Sequence, residues 1–459
     1  MRKPPDITPP ALETITPRQI DIVQQQREYK LITPLYGGGV TPGEVDPLTP
    51  IRGSEIRGHL RFWWRATRGG QFSDMAAMKK EEDAIWGKAY KKEAEAKKTG
   101  ENESSTAQQT VQIEVTVSRL GESKKALDIV DKRGKLDAEP VGVPEYAVFP
   151  LRPPNEDLRR KTQQQLKAEM KSLQHNLEFT LRITYPKACH GDIQAALWAW
   201  ETLGGIGART RRGFGALQLL KVGSEKNTNL PASNLPAEVR AWLNRNVQMH
   251  VVSGGWPKDV PDVPHLEQPL AFEVVYPAGQ VFASWNSLIT RYAAFRQLRT
   301  KGRAGRSHWP EAEAIREITH RSHYTSLGHP RKFPRAAFGL PIIFHFKDER
   351  ERNNPDPKDT TLQGAQKGNE RLASPLILRP LLCNNGGAVG LAALLKGSVL
   401  PSLVLKDTVK PDQLPEAGVS VHAQLNQQDL TRLYELNEQK LKNETNVLQA
   451  FLNDLGGRK

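Results

Sequence analysis

Residues Leu177–Val222 read LEFTLRITYPKACHGDIQAALWAWETLGGIGARTRRGFGALQLLKV, a strand, a helix, a glycine loop and a second strand in one run. Leu177, Phe179, Leu181 and Ile183 alternate with polar residues, the period of a strand with one buried face. Asp192 to Leu203 changes period, placing Ile193, Ala196, Leu197 and Trp200 on one side of a short helix. Glycines from Gly204 end that helix, and Phe214 to Val222 reads as the closing strand.

Upstream, Ile20 to Leu31 ends in a strand-like run that Thr33-Pro34 and Gly37-Gly38-Gly39 break. Ser54 to Arg68 predicts a helix, with Ser54 as N-cap and Gly69-Gly70 as the stop. Val111, Ile113, Val115 and Val117 alternate as a half-buried strand does. The order is β-α-β-β-α-β, the split arrangement of a ferredoxin-like domain, so the expected class is α+β. Two charged insertions, Lys79–Gln109 and Glu156–Gln174, interrupt this first domain of residues 1–222. Their composition predicts surface helices or mobile loops that bury little.

Residues 223–459 are less legible. Leu270–Tyr276 predicts a strand and Ala283–Arg299 a helix. Leu340–Phe346 and Leu372–Leu382 predict strands on either side of a polar loop, Lys347–Glu370. An amphipathic helical pattern over Leu430–Leu455 closes the chain. A second domain of similar class accommodates this order.

The 459 residues carry 65 Lys and Arg against 51 Asp and Glu, a formal charge of +14. A chain this basic, with pI near 9.6, favours polyanionic partners. No stretch approaches the roughly 20 apolar residues of a membrane-spanning helix, and MRKPPDITPP lacks the apolar core of a signal peptide. Cys189 and Cys383 are the only cysteines, which excludes a zinc ribbon or a disulfide framework and suits a reducing, cytoplasmic setting. No membrane association, cofactor or metal is expected.

Chemistry concentrates in two segments. In Pro50–Arg68, at about 100° per residue, Ile56, Leu60, Trp63 and Thr67 form one stripe, with Trp64 at its edge. Arg57, Arg61, Arg65 and Arg68 form another, with Glu55 the only nearby counter-charge in sequence. A solvated helix face explains many charge runs. Here all four cations are arginine, suited to bidentate phosphate recognition, and they repel one another unless partnered. Trp63 is expected in the core; Trp64 is the better candidate to stack on a base.

The second segment is Gly204–Gly215, with Gly205-x-Gly207 and Gly213-x-Gly215 flanking Arg209, Arg211 and Arg212. Glycines let backbone N–H groups approach a polyanion because no Cβ intervenes. The loop runs from helix to strand, the reverse of a dinucleotide fingerprint, and no GK[ST] follows. A plain connector needing tight turns is the bland alternative. A four-stranded sheet beside such a basic loop suits single-stranded RNA.

The runs ITPLYGGG from Ile32, PIRGSEIRGHLRFWWRA from Pro50 and LGGIGARTRRGFGAL from Leu203 resemble the RAMP superfamily of CRISPR proteins. Within it they resemble the first-numbered subunits of type III-B (Cmr) effector complexes, as do FGLPIIF from Phe338 and RLASPLILRP from Arg371. The resemblance implies two tandem ferredoxin-like, RRM-related domains. It implies a non-catalytic subunit at the head of an RNA-guided antiviral complex, near the 3′ end of the guide. Its implied partners are guide CRISPR RNA, single-stranded target RNA and the other RAMP subunits. The positions carried over as RNA-binding are Arg52, Ser54, Arg57, Arg61 and Arg65, then Gly205, Gly207, Arg209, Arg211, Arg212, Gly213 and Gly215. Trp64 and Arg68 join them from the helix pattern. Gly53 stands where many relatives have alanine.

The rival class is an endoribonuclease using a histidine as general acid or base. His308, His320, His323 and His329 supply candidates, but no carboxylate or third ligand at metal spacing accompanies them. Asp46, alone among prolines, is expected to shape a turn. A DNA-binding transcription factor would need a helix-turn-helix or zinc module, and none is recognisable. Trp86, Trp256 and Trp309 suit either the core or a subunit contact.

Overall fold

The computed structural model describes residues 21–87, 111–227, 229–252, 254, 256–257, 263–275, 279–299, 307–321, 330–346, 356–397, 399–409, 411–433 and 439–457. The first half opens with β1 (Ile22–Leu31), α1 (Gly53–Arg68), α2 (Met75–Trp86) and β2 (Gln112–Arg119). Four short strands follow: β3 (Glu122–Lys125), β4 (Leu127–Asp131), β5 (Leu136–Pro140) and β6 (Ser172–His175). Then come β7 (Glu178–Pro186), α3 (His190–Leu203), β8 (Leu217–Val222) and the two-residue β9 (Glu225–Lys226).

The main sheet has the order β2-β7-β1-β8, with β9 paired to β8, and every pairing is antiparallel. With β1, β2, β7 and β8 as the four strands of the unit, this is the ferredoxin-like order 4-1-3-2. Phe179, Leu181, Ile183 and Tyr185 turn towards α1 and α3 and are wholly buried. The opposite face presents Gln24, Gln26 and Lys30, then Thr180, Arg182 and Thr184, with Glu114 and Thr116. No described strand puts an aromatic ring there, so the stacking platform of an RRM-type sheet is missing from it.

Two local expectations are corrected. Ser54 is not the N-cap of α1: Arg52 holds that position in extended conformation, and Ser54 lies exposed in the first turn. Gly69 does not turn left-handed; it continues into a 3-10 turn, and a Cβ there would collide with the Trp256 ring. The charged insertions are also better anchored than their composition suggests. Residues 79–86 complete α2, which buries Met78, Ile85 and Trp86, while 156–174 bury Leu166, Met170 and Leu173. Residues 88–110 lie outside the described part.

The second half contributes α4 (Pro236–His250), β10 (Phe272–Val275), α5 (Val281–Gln297), α6 (Glu311–Thr319), β11 (Ile342–Phe344) and β12 (Thr360–Gly364). It continues with β13 (Leu376–Leu382), β14 (Ala388–Leu394), β15 (Leu403–Asp407), β16 (Val419–Val421) and α7 (Val447–Leu455). One sheet runs β10-β14-β13, antiparallel throughout, with α5 packed on it and α7 beside β10. This β-α-β-β-α order and 1-3-2 strand arrangement is a ferredoxin-like unit with three strands. A separate sheet, β11-β12-β15-β16, has its own small core.

The segment expected as a polar loop, Lys347–Glu370, contains β12, whose Thr360, Leu362 and Gly364 are buried. The closing pattern is not one helix, since Thr431 and Arg432 are turn residues and α7 begins only at Val447. The three-stranded sheet is covered on both sides. Ile377, Val389, Leu391 and Ala393 join the core of the first half, and Leu376, Leu378, Ala392 and Leu394 meet α5.

Candidate nucleic-acid interface

The arginine stripe of α1 exists, but its charges are engaged. Helix α2 follows a turn after α1, and Asp74 caps it by accepting from the Ala77 N–H at 2.8 Å. That packing brings Glu82, 2 % exposed, under the stripe. Glu82 Oε1 accepts from Arg61 Nε at 2.8 Å and also from Arg65 Nη1. Arg61 further donates to Gly87 O at 2.9 Å and Asp83 Oδ1 at 3.3 Å. Arg68 donates to Gly191 O at 2.8 Å. Arg52 donates to Gly38 O at 2.6 Å, tying α1 to the glycine turn.

Arg57 is the least committed of the four, reaching Trp86 O and Val111 O only at 3.4 Å each. Partial burial, and the neighbouring Arg61 charge, hold its guanidinium below the ordinary range. Trp64 is wholly buried and donates its indole N–H to Asp192 Oδ1 at 3.1 Å. Its proposed role as a stacking platform is therefore corrected: both Trp63 and Trp64 belong to the core. Trp86 and Trp309 are core residues too, and Trp256 stacks flat on His265 at 3.9 Å.

The glycine loop is built for close packing rather than for presenting free amides. The Gly207 N–H donates to Glu55 Oε1 at 3.0 Å, and Ala208 N–H to Tyr36 O at 2.7 Å. Ile206 N–H meets Gly215 O, Gly213 N–H meets Thr210 O, and Gly215 N–H meets Pro34 O. These are the donors a phosphate cradle would need, and protein acceptors take them. The glycines serve as spacers. Gly207 has φ +78°, and a Cβ there would lie 2.5 Å from Leu35 Cδ1; one at Gly213 would strike Trp285. Gly205 is buried against Gly215 and accepts from Trp200 Nε1 at 3.1 Å.

The loop arginines reach into the second half of the chain. Arg211 donates to Ser374 O. Arg212 donates to Leu376 O at 3.1 Å and Tyr292 Oη at 2.8 Å, and lies over the Tyr292 ring at 4.6 Å. Burial, reinforced by the Arg212 charge, pushes the Arg211 guanidinium down to about 10. Arg209, in a left-handed conformation, uses only its Nε, on Ala147 O at 3.0 Å. Its two terminal nitrogens bond to no described residue.

Sequence reading missed the residue that clamps this loop. Arg379 of β13 is wholly buried and donates to Glu201 O at 2.9 Å, Gly204 O at 2.8 Å and Leu217 O at 3.0 Å. It ties the end of α3 to the start of β8, the two ends of the loop. With no carboxylate among its hydrogen-bond partners, burial pushes its guanidinium down to about 9. An arginine inside an otherwise apolar run, LILRPLL, was the available signal.

Among the other sequence candidates, Asp46 caps a turn, accepting from Leu48 N–H and Thr49 N–H at 2.9 Å each. His320 ends α6 in a left-handed conformation, and His323 and His329 lie outside the described residues. No group of three His, Cys, Asp or Glu among the described residues is arranged to hold a metal ion. No described helix is long and apolar enough to cross a membrane.

A family model described as the RAMP superfamily matches residues 28–218. No curated protein matches the sequence. Among solved structures, the apo form of Cmr1 from Pyrococcus furiosus is 17% identical, with a TM-score of 0.44. That match covers 91% of this chain and 95% of the other. A chain of the type III-B Cmr-beta complex bound to cognate target RNA and AMPPnP is 14% identical, with a TM-score of 0.43. It covers 95% of this chain and 100% of its own.

Proposed function

We propose, from the match of residues 28–218 to the RAMP superfamily model, that the chain is a non-catalytic RNA-binding subunit of a type III-B CRISPR effector complex. Its partners are guide CRISPR RNA, single-stranded target RNA and the neighbouring RAMP subunits. Its place at the head of the complex, near the 3′ end of the guide, and its part in capturing target RNA follow from the motif resemblance.

The observation that carries RNA binding is the pair of arginines with unused donors. Arg57 makes only long contacts, and Arg209 keeps both terminal nitrogens free of described partners, on a chain of net charge +14. Each presents a planar fork that suits a backbone phosphate. Arg52, Ser54, Arg61, Arg65, Arg68, Arg211, Arg212 and the loop glycines then shape the surface and hold its charge in place. Sequence-independent phosphate contact is the expected mode, because the open sheet face offers no rings for base stacking.

The test incubates the purified chain with end-labelled single-stranded RNA, with and without Mg²⁺, and reads native and denaturing gels. A shifted, intact RNA is expected. Log K should fall with log salt at about −0.7 per phosphate contact, roughly −1.4 for Arg57 and Arg209 alone and roughly −2.8 for four contacts. Discrete cleavage products would overturn the non-catalytic reading.

A further inference from the structure

A cleft of about 470 Å³ opens between α3, strand β8, α4 and the end of β13, where the two halves of the chain meet. It shares Arg68 with the arginine stripe of α1, and its size is within the range of small-ligand pockets, roughly 300–1,000 Å³. Leu217, Leu219 and Leu381 supply apolar lining. Trp198 and Trp242 supply indoles, and His250 stacks on Trp198 with centroids 5.1 Å apart and planes 21° apart. The Trp242 N–H is bonded to Asn229 Oδ1 at 3.3 Å. The Trp198 N–H is buried and has no partner among the described residues.

The charges in the cleft favour an anion. Its carboxylate, Glu201, is already discharged by Arg27 Nη1 at 2.8 Å and Tyr29 Oη at 2.7 Å. Arg68 lines the cleft as well, donating Nη2 to Gly191 O at 2.8 Å and pairing at 3.7 Å with Asp192, a carboxylate that also accepts the Trp64 indole N–H. His250 is neutral at physiological pH, since burial and the Arg68 charge push it down to about 4. His190 is bonded to Tyr185 Oη at 3.2 Å. An aromatic wall, amides of Gln194, Asn227 and Asn229, and one cation together match a flat heterocycle bearing a phosphate.

We propose that this cleft binds one nucleotide unit, its base on the Trp198–His250 side and its phosphate towards Arg68. The unit is either a free mononucleotide or an unstacked nucleotide of bound RNA; the second form rests on the RNA-binding function proposed above.

The test titrates the full chain with each of the four ribonucleoside 5′-monophosphates and follows indole fluorescence. Saturable quenching is expected. Met249→Glu, which puts a carboxylate at a lining position that is 70% exposed, should weaken it at least fivefold. His250→Ala should do the same, with circular dichroism confirming that both variants stay folded. A second arm photo-cross-links single-stranded RNA carrying 4-thiouridine and maps the attached peptides. Attachment within 190–202 or 242–250, competed by mononucleotide, assigns the cleft to RNA. Quenching without such attachment assigns it to a free nucleotide. Neither quenching nor attachment overturns the pocket, even where a gel shift leaves RNA binding intact. Quenching with no gel shift keeps the pocket and overturns RNA binding.

Discussion

Glu82→Gln isolates what α2 does to the arginine stripe. The substitution preserves volume and one acceptor oxygen but removes the negative charge beneath Arg61 and Arg65. Removing one partner of a buried pair costs about 3–5 kcal/mol when the remaining charge is stranded. Here it is only partly stranded. Arg61 keeps Asp83 at 3.3 Å and Gly87 O at 2.9 Å, and the Arg65 side chain is 28% exposed. Water and the remaining acceptors therefore lower the expected loss to about 1.5–2.5 kcal/mol. Urea unfolding followed by tryptophan fluorescence should show a lower midpoint at unchanged slope. Combining it with Arg65→Gln should give a double-mutant coupling of at least about 0.5 kcal/mol, because the two groups share one hydrogen bond. A Glu82→Gln stability within about 0.5 kcal/mol of the parent, together with additive single variants, would refute the idea that α2 neutralises the stripe.

Three further outcomes follow from the same geometry. Arg379→Met strips donors from Glu201 O, Gly204 O and Leu217 O, so a loss of about 3 kcal/mol or more is expected in chemical denaturation; a change below about 1 kcal/mol would show that the clamp is dispensable. Gly207→Val adds a side chain at φ +78° against Leu35 and Tyr36 O, so reduced soluble yield and a lowered thermal midpoint should appear even without RNA; an unchanged melt with weakened RNA binding would restore the polyanion-approach role. The folded-state pKa of His250 is depressed, so its contribution to stability is complete above the unfolded value near 6.5 and is lost as pH falls towards about 4. His250→Phe should flatten the urea-midpoint profile in that window, and an identical profile in both proteins would exclude His250 as its source.

The legible part of the fold was the part with one wet face. β7 alternates because its Thr180, Arg182 and Thr184 meet water while Phe179, Leu181 and Ile183 do not, so periodicity carries the pairing. β14, AVGLAAL, is buried on both faces between α5 and the first core, so no alternation survives to read. Its alanines and glycine also argue locally against a strand. β12 was hidden for a related reason: two threonines, a glutamine and a glycine resemble a loop until β11 and β15 pair with them.

The candidate site divides along the same line. The sequence places four arginines on one face of α1, and the structure agrees. It gives no sign of the partner that Arg61 and Arg65 share, because Glu82 lies 17 residues beyond Arg65 in a segment whose charge suggested solvent. The glycine loop poses the equivalent problem for the backbone. Glycine spacing predicts close approach, and close approach is found, but to Leu35, Tyr36, Trp285 and Ile206 rather than to open space. What distinguishes a phosphate cradle from a packing joint is the fate of the N–H groups, and that is settled by acceptors from distant segments, Glu55, Pro34 and Tyr36. The capacity for a polyanion therefore moves from the loop's backbone to those side chains the fold leaves unspent. Arg57 and Arg209 meet that condition; Arg61 and Arg65 are consumed on Glu82, and Arg212 on Leu376 O and Tyr292 Oη.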